Sequence, residues 1–418
     1  MIIDFKYGDS IQSVNVPDKN LIGILSQNED MPLCKETEES IILNALNNPI
    51  GSKRLKDIVK PNSKVIIVTS DITRPLPTYK VMPAILDELY SAGISKTDIT
   101  LVFALGSHRT HTEEEKRKLA GDWVYSEIEC IDSDSKDIIR LGTTKRGTPV
   151  DIMRKVAQAD YRICLGNIEF HYFAGFSGGA KAIMPGVSSY QAIQANHKFM
   201  VNGAACAGKI EGNPVREDIE EAAKICGIDF ILNVVLNEKK EIVYAVAGDY
   251  IKAHRVGCEF INKHYLKEID QLADIVLVSP GGSPKDINLY QAQKAIDNAK
   301  YAVKNGGVII LIASCKEGLG NVTFENWLLQ ARQPSDLIDR IKSDFQLGGH
   351  KAAAISMVLQ SADIYLVSEI NDITKERIFL RHFQTAQDAL NAAFEKLGQD
   401  ATVLAMPFGS STLPMLTN

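Results

Sequence analysis

The chain has 418 residues, of which 45% are hydrophobic and 23% charged; 46 Lys and Arg stand against 52 Asp and Glu, a formal net charge of −6. At about 100–200 residues per domain a globular protein of two or three domains is expected, two being favoured, and the make-up excludes disorder, collagen and coiled coil. A mildly acidic chain lacks the basic stripe that nucleic acid requires, so no nucleic-acid partner is expected.

The seven cysteines stand far apart with no CxxC, which excludes a disulfide framework and a zinc ribbon. The eight histidines form neither HxH nor HExxH, so no metal cage built wholly from protein ligands is expected. Met1–Asp9 carries charge where a signal peptide needs an apolar core, and no run of about 18 apolar residues occurs. A cytoplasmic protein with no membrane partner is expected.

In chain order, Lys64–Thr69 reads as a buried strand, Tyr79–Ala92 as a helix stopped by Gly93, and Asp98–Leu105 as a second strand. Thr112 and Glu115 make a capping box. Tyr161–Gly166 reads as a strand, Ser189–Met200 as a helix, and Phe230–Leu236 with Glu241–Val246 as a hairpin. Ile251–Tyr265 is expected to be helical. The polar stretch Leu266–Gln271 then marks a domain boundary, because strand and helix alternation restarts after it. Asp274–Ser279 is a strand, Asn288–Lys304 a helix ended by Gly306, and Val308–Ala313 a strand. Helices follow over Leu337–Phe345 and Lys351–Ser361, a strand over Asp363–Ser368, and a helix over Thr385–Leu397. The alternation predicts an α/β protein with a parallel or mixed sheet in each half.

Ligands of open α/β sheets bind beyond the carboxyl ends of the strands. Four strand exits carry unusual residues. After Lys64–Thr69 comes Ser70–Pro75 (SDITRP), in which Asp71 can accept hydroxyl hydrogen bonds and Arg74 offers a planar fork for a carboxylate or phosphate. After Asp98–Leu105 comes Gly106–His111 (GSHRTH), whose His108 suits proton transfer near neutral pH. The third, His171–Lys181 (HYFAGFSGGAK), has glycines that let backbone amides approach an anion, and a lysine within reach. It is neither GxxxxGK[ST] nor GxGxxG. The fourth, Gly281–Pro284, leads into Asn288–Lys294, where Tyr290, Gln291 and Lys294 share one helix face suited to a small oxygen-rich anion. Read singly, these segments also fit a turn, a surface histidine, a loop and a solvated helix face.

Together they resemble the nickel-dependent lactate racemase family. The resemblance spans nearly the whole chain and is carried by SDITRP (Ser70–Pro75), GSHR (Gly106–Arg109), HYFAGFSGGAKAIMPG (His171–Gly186), ANH (Ala195–His197) and LYQAQK (Leu289–Lys294). Asn48–Ser52 also looks like the family's N-terminal segment. The resemblance implies a nickel-pincer nucleotide, a pyridinium mononucleotide whose two thio-acid arms hold nickel. Residue by residue, Lys181 stands where the covalent thioamide tether belongs and His197 where the histidine completing nickel coordination belongs. His108 and His171 match the two acid/base histidines. Arg74, Gln291 and Lys294, with Tyr290 beside them, match the grip on the substrate carboxylate. Asp71 and the amides of Ser177, Gly178 and Gly179 would hold the ribose and phosphate.

The implied chemistry is racemisation or epimerisation of a 2-hydroxy acid. Passing a hydride to an electrophilic cofactor avoids a carbanion beside a carboxylate, and each face of the planar keto acid then needs its own base. The family fold implies two α/β domains with the site in the cleft between them. These would be residues 1–268, joined by a returning C-terminal strand within 401–418, and residues 269–400. Hinge closure would bring Lys294 to Arg74. Activation would require cofactor-biosynthesis proteins. Two departures bear on the substrate: Ala180 stands where lactate-specific members carry an arginine, and His350 near where they carry a tryptophan. A smaller, more polar lining could admit lactate or another 2-hydroxy acid. The alternatives are an NAD-dependent 2-hydroxyacid dehydrogenase and a non-catalytic carrier of the nickel cofactor.

Overall fold

In a computed structural model of the chain, the described residues are 1–26, 36–237, 239–370 and 377–417; Cys34 lies outside them. The chain divides into two compact units, residues 31–263 and residues 1–30 with 264–418.

The chain opens with a hairpin of β1 (Ile2–Tyr7) and β2 (Ser10–Asn15), then β3 (Leu21–Ile24). The 31–263 unit holds β4 (Val65–Ser70), β5 (Ile99–Ala104), β6 (Glu129–Asp132), the antiparallel pair β7 (Ile138–Thr143) and β8 (Pro149–Met153), and β9 (Tyr161–Asn167). Next come a small hairpin of β10 (Phe170–His171) and β11 (Gly175–Phe176), then β12 (Phe230–Leu236) and β13 (Ile242–Gly248). Its main sheet has the order β13-β12-β9-β4-β5-β6. All neighbours are parallel except the β12–β13 hairpin.

The first five residues of both β4 and β5 are buried, as expected of parallel strands covered on both faces. The 78–91 helix, which carries β4 over to β5, presses Val81, Ile85 and Leu89 onto Ile67, Leu101 and Phe103 in one core. The expected capping box at Thr112 is present.

The other unit continues with β14 (Leu266–Ile269), β15 (Ala273–Val278), β16 (Val303–Ile312), β17 (Asp363–Val367), β18 (Arg381–Phe383), β19 (Val403–Met406) and β20 (Leu413–Leu416). Its all-parallel sheet has the order β18-β17-β16-β15-β19-β3.

This arrangement corrects two expectations and refines a third. The last strand does not return to the domain holding the histidines: β19 pairs with β15 in the 264–418 unit, and the chain's beginning joins that unit too, because β3 pairs with β19. The boundary expected at Leu266–Gln271 falls within a few residues of the division after Lys263, and the polar stretch itself contains β14, paired with β20. The helix expected over Asn288–Lys304 ends at Ala299, because backbone pairing of Val303 with Ala273 begins β16 there. Among the described residues, no helix is long and apolar enough to cross a membrane.

In the 31–263 sheet, successive strands run from β4 to β5 to β6 on one side, and β9 lies on the other side of β4. Between β4 and β9 the strand order reverses. That is where an open α/β sheet leaves a crevice at its carboxyl edge.

Candidate active site

The exit of β4 supplies Asp71, Thr73 and Arg74, and the exit of β5 supplies His108. Asp71 is 3% exposed. Its Oδ2 lies 2.7 Å from His108 Nδ1, and its Oδ1 accepts from Thr73 Oγ1 at 2.9 Å. With the carboxylate on Nδ1, the neutral His108 ring carries its proton there and its lone pair on Nε2. The His108 and Thr73 hydrogen bonds and the charge on Arg74 hold the Asp71 carboxyl below the usual carboxylate range against the opposing effect of burial. Asp71, expected on a ribose, is also the hydrogen-bond partner of His108 within this unit.

The exit of β9 supplies the glycine-rich segment, which is held from four directions. Ser177 Oγ donates to Asn167 O at 2.7 Å and accepts from Glu169 N at 2.9 Å. Asn233 Oδ1, on β12, accepts from Gly179 N at 2.7 Å. His254 Nε2 donates to Ser177 O at 2.8 Å. From the 214–226 helix, Arg216 Nε donates to Ala174 O at 3.0 Å and its Nη2 to Phe176 O, while the helix-capping Asn213 Nδ2 donates to Phe173 O at 3.0 Å. The glycines are required by shape. Gly178 has φ +73°, and a Cβ there would lie 2.8 Å from Asn233 Oδ1; a Cβ on Gly179 would lie 2.8 Å from the His254 ring.

Three residues singled out from the sequence converge on the Phe173 ring. His171 meets it edge-on with centroids 4.6 Å apart, His197 edge-on at 5.0 Å, and Lys181 Nζ lies 6.0 Å from its centroid. Burial, together with the neighbouring charges of Arg74 and Arg216, pushes the Lys181 amine well below its usual range. His171 is likewise pushed well down, by burial first and then by Lys181, Arg74, His197 and Arg216. Its Nδ1 accepts from Ala174 N at 3.2 Å, so the neutral ring carries its proton on Nε2, and a second proton would cost that bond.

His197 ends the 190–197 helix and is 9% exposed. Its Nδ1 donates to Asn196 Oδ1 at 3.0 Å, which places the lone pair on Nε2, the form a metal can take. Asn196 is itself anchored by Asp218, a fully buried carboxylate 2.8 Å from its Nδ2 that also binds Thr144 and Thr148. Among the described residues, no group of three or more His, Cys, Asp or Glu is placed to hold a metal ion by itself.

In the 264–418 unit, Tyr290, Gln291 and Lys294 lie on the first two turns of the 289–299 helix, capped by Asn288. Gln291 and Lys294 are exposed and Tyr290 half-buried. Tyr290 packs edge-on to Phe324, and Lys351 Nζ sits 4.1 Å from its ring centroid while donating to its carbonyl at 2.6 Å. His350 is buried in the first turn of the 349–359 helix, its Nδ1 accepting from Gly348 N at 3.0 Å. Lys351, the neighbour of His350 in the chain, is therefore packed on Tyr290 in this unit.

Sequence reading passed over Asn213, Arg216, Asp218, Asn233, His254 and Lys351, and gave Asn196 no role beyond its place in the ANH segment. Asn213-Pro214 is a helix-start signal that could have been found. The others act through contacts distant in the chain, which no local pattern announces.

Residues 7–208 match the model of the lactate racemase N-terminal domain, and residues 269–413 that of the lactate racemase C-terminal domain. The chain is 35% identical to the lactate racemase of Thermoanaerobacterium thermosaccharolyticum over 98% of both chains. It is 32% identical to that of Lactiplantibacillus plantarum over 97% of this chain and 98% of the other. The solved lactate racemase apoprotein from T. thermosaccharolyticum superposes with a TM-score of 0.88 at 34% identity, covering 99% of this chain and all of that one. A Thermotoga maritima protein at 21% identity and TM-score 0.64 shares the fold, over 91% of this chain and 98% of its own. With both family domains matched and the likeness running almost end to end, the chain belongs to the lactate racemase family and is an isomerase of the racemase class.

Proposed function

We propose that the protein interconverts the enantiomers of a 2-hydroxy acid, lactate or a close relative, with a nickel-pincer nucleotide tethered covalently at Lys181. The observation that carries this reading is the convergence of Lys181, His171 and His197 on Phe173, at the strand-order reversal of the sheet.

The chain's donor set fits such a group. A depressed lysine is a nucleophilic amine at neutral pH and can become an amide-type tether. A single imidazole with its lone pair on Nε2 suits one open position on a metal whose other donors come with the cofactor. A glycine segment with conformations closed to larger residues lets the backbone approach a nucleotide closely. When bound, the cofactor supplies a reversible hydride acceptor.

The chain's own residues handle the protons and the carboxylate. His108, held by Asp71, offers Nε2 to the substrate hydroxyl from one side. His171 serves the other face and changes proton state as the local positive charge changes. Arg74 of the 31–263 unit, and Gln291 and Lys294 of the 264–418 unit, are assigned to the substrate carboxylate; Tyr290 and His350 are assigned to the substrate with the latter two. Of the three amides expected on the nucleotide, Ser177 N donates to Glu169 O at 2.9 Å and Gly179 N to Asn233 Oδ1 at 2.7 Å, so the assignment to the nucleotide stays with the Gly178 amide. Cofactor-building proteins would act upstream, in the cytoplasm.

The test is racemisation of a panel of single-enantiomer 2-hydroxy acids by protein co-produced with those cofactor-building enzymes. At least one acid should racemise. His108→Ala and His171→Ala should each lower kcat by about 10²–10⁴-fold, the usual worth of a positioned acid or base. A panel with no racemisation, or undiminished turnover in both variants, would overturn the reading.

A further inference from the structure

The second histidine of the Gly106–His111 segment has no part in the reading above, yet its surroundings give it one. His111 is 8% exposed, with its ring edge-on to Phe103 at 5.5 Å. Its Nε2 accepts from the backbone N–H of Ile72 at 3.1 Å. A ring nitrogen that accepts carries no proton, so the neutral imidazole holds its proton on Nδ1, which donates to Asp132 Oδ1 at 2.6 Å. The other oxygen of Asp132 accepts the backbone N–H of His111 at 2.8 Å. One carboxylate thus fixes both the ring and the main chain of this residue.

Ile72, the residue so gripped, directly follows Asp71, whose Oδ2 lies 2.7 Å from His108 Nδ1. Two histidine–aspartate pairs therefore meet at one loop. They are assembled from three adjacent parallel strands: Asp71 leaves β4, His108 and His111 leave β5, and Asp132 ends β6. A rigid group that accepts at one end and donates at the other can tie the β4 exit to the end of β6, and neutral imidazole does this.

We propose that His111, oriented by Asp132, is a positioning residue: it holds the Ile72 backbone so that the Asp71 carboxylate meets His108 Nδ1 and directs His108 Nε2 at the substrate hydroxyl. This rests on the reading of His108 as an acid/base group. A loop displacement on the order of 1 Å, too small to unfold anything, would cost about 10²-fold in rate.

The test compares His111→Gln, whose Oε1 can still accept from Ile72, with His111→Leu, which cannot. Proton spectra of the chain without cofactor should show a downfield Nδ1–H resonance from each histidine–aspartate pair. His111→Leu should remove one and shift or broaden that of His108. His111→Gln should leave the His108 signal in place. In the loaded enzyme, His111→Leu should lower kcat about 10²-fold with KM changed by less than about twofold, and His111→Gln should recover most of the loss. Should the Leu variant fail to fold, Asp132→Asn, which keeps shape but removes charge, should move the His108 signal the same way.

An unmoved His108 signal in His111→Leu, or in Asp132→Asn where that variant stands in for it, overturns the proposal; so do equal losses of kcat in the Leu and Gln variants. Failure of the underlying reading looks different: His108→Ala then racemises at full rate, whatever the spectra of the His111 variants show. Loss of turnover in His108→Ala with full turnover in His111→Leu defeats the positioning role alone.

Discussion

At the scale of single residues, the site is a place where positive charge is crowded and partly suppressed. Arg74 appears as a cause of the downward displacement of both His171 and Lys181. Arg74→Gln should therefore raise both titrations, His171 in histidine NMR and Lys181 in the pH dependence of labelling by an amine-selective reagent. Unchanged titrations would show that Arg74 has no part in them and that burial and the other neighbouring charges set them. Lys181 also carries a stability cost of known sign. Its folded pKa lies below its unfolded one, so the unfolded chain binds the extra proton. The cost is fully present below the folded pKa and fades as pH rises toward 10.5. Lys181→Met should therefore raise the melting temperature at pH 7, with the gain shrinking by pH 10. An equal gain at both pH values would contradict the displaced lysine.

At the scale of elements, the 171–181 segment is shaped less by its own sequence than by what surrounds it. Asn233→Ala would leave the Gly179 N–H without its acceptor and should cost about 1–3 kcal/mol in denaturant unfolding. Gly178→Ala combines a left-handed backbone with a Cβ close to Asn233 Oδ1, and should cost about 1–3 kcal/mol. A cost near zero in both would mean the segment adapts freely. The segment itself was legible in the sequence, because glycines, aromatics and a lysine in one short run have few other uses. Its supports were not. Asn233 sits in an apolar strand, and Arg216 and His254 sit in helices 35 or more residues downstream, so nothing local separates them from packing residues. Strands such as β4, β5, β9 and β15 are revealed by their runs of apolar residues. The helix expected to run to Lys304 shows the converse: helical spacing continues past Ala299, but strand pairing takes over.

At the scale of the whole molecule, the alternation of strands and helices was enough to read an α/β protein in two parts, and the partition itself was misread at both chain ends. β1, β2 and β3 complete the unit formed by residues 264–418, because the β19 edge needs a partner and β3 supplies it. Pairing partners nearly 400 residues apart leave no trace in local periodicity. Deleting residues 1–26 should therefore strip protection in hydrogen exchange from β19 and β15, while β4, β5 and β9 keep theirs. Loss confined to the 31–263 unit would contradict this division.

The central claim is that the residues around Phe173 make a seat for a cofactor bonded to Lys181. The most direct measurement is the intact mass of the protein co-produced with the cofactor-building enzymes, beside Lys181→Ala made the same way. The wild-type chain should carry a covalent adduct with the mass of the nickel-pincer nucleotide that survives denaturation, and Lys181→Ala should carry none. A wild-type chain of unmodified mass, or an adduct that persists in Lys181→Ala, would contradict the account.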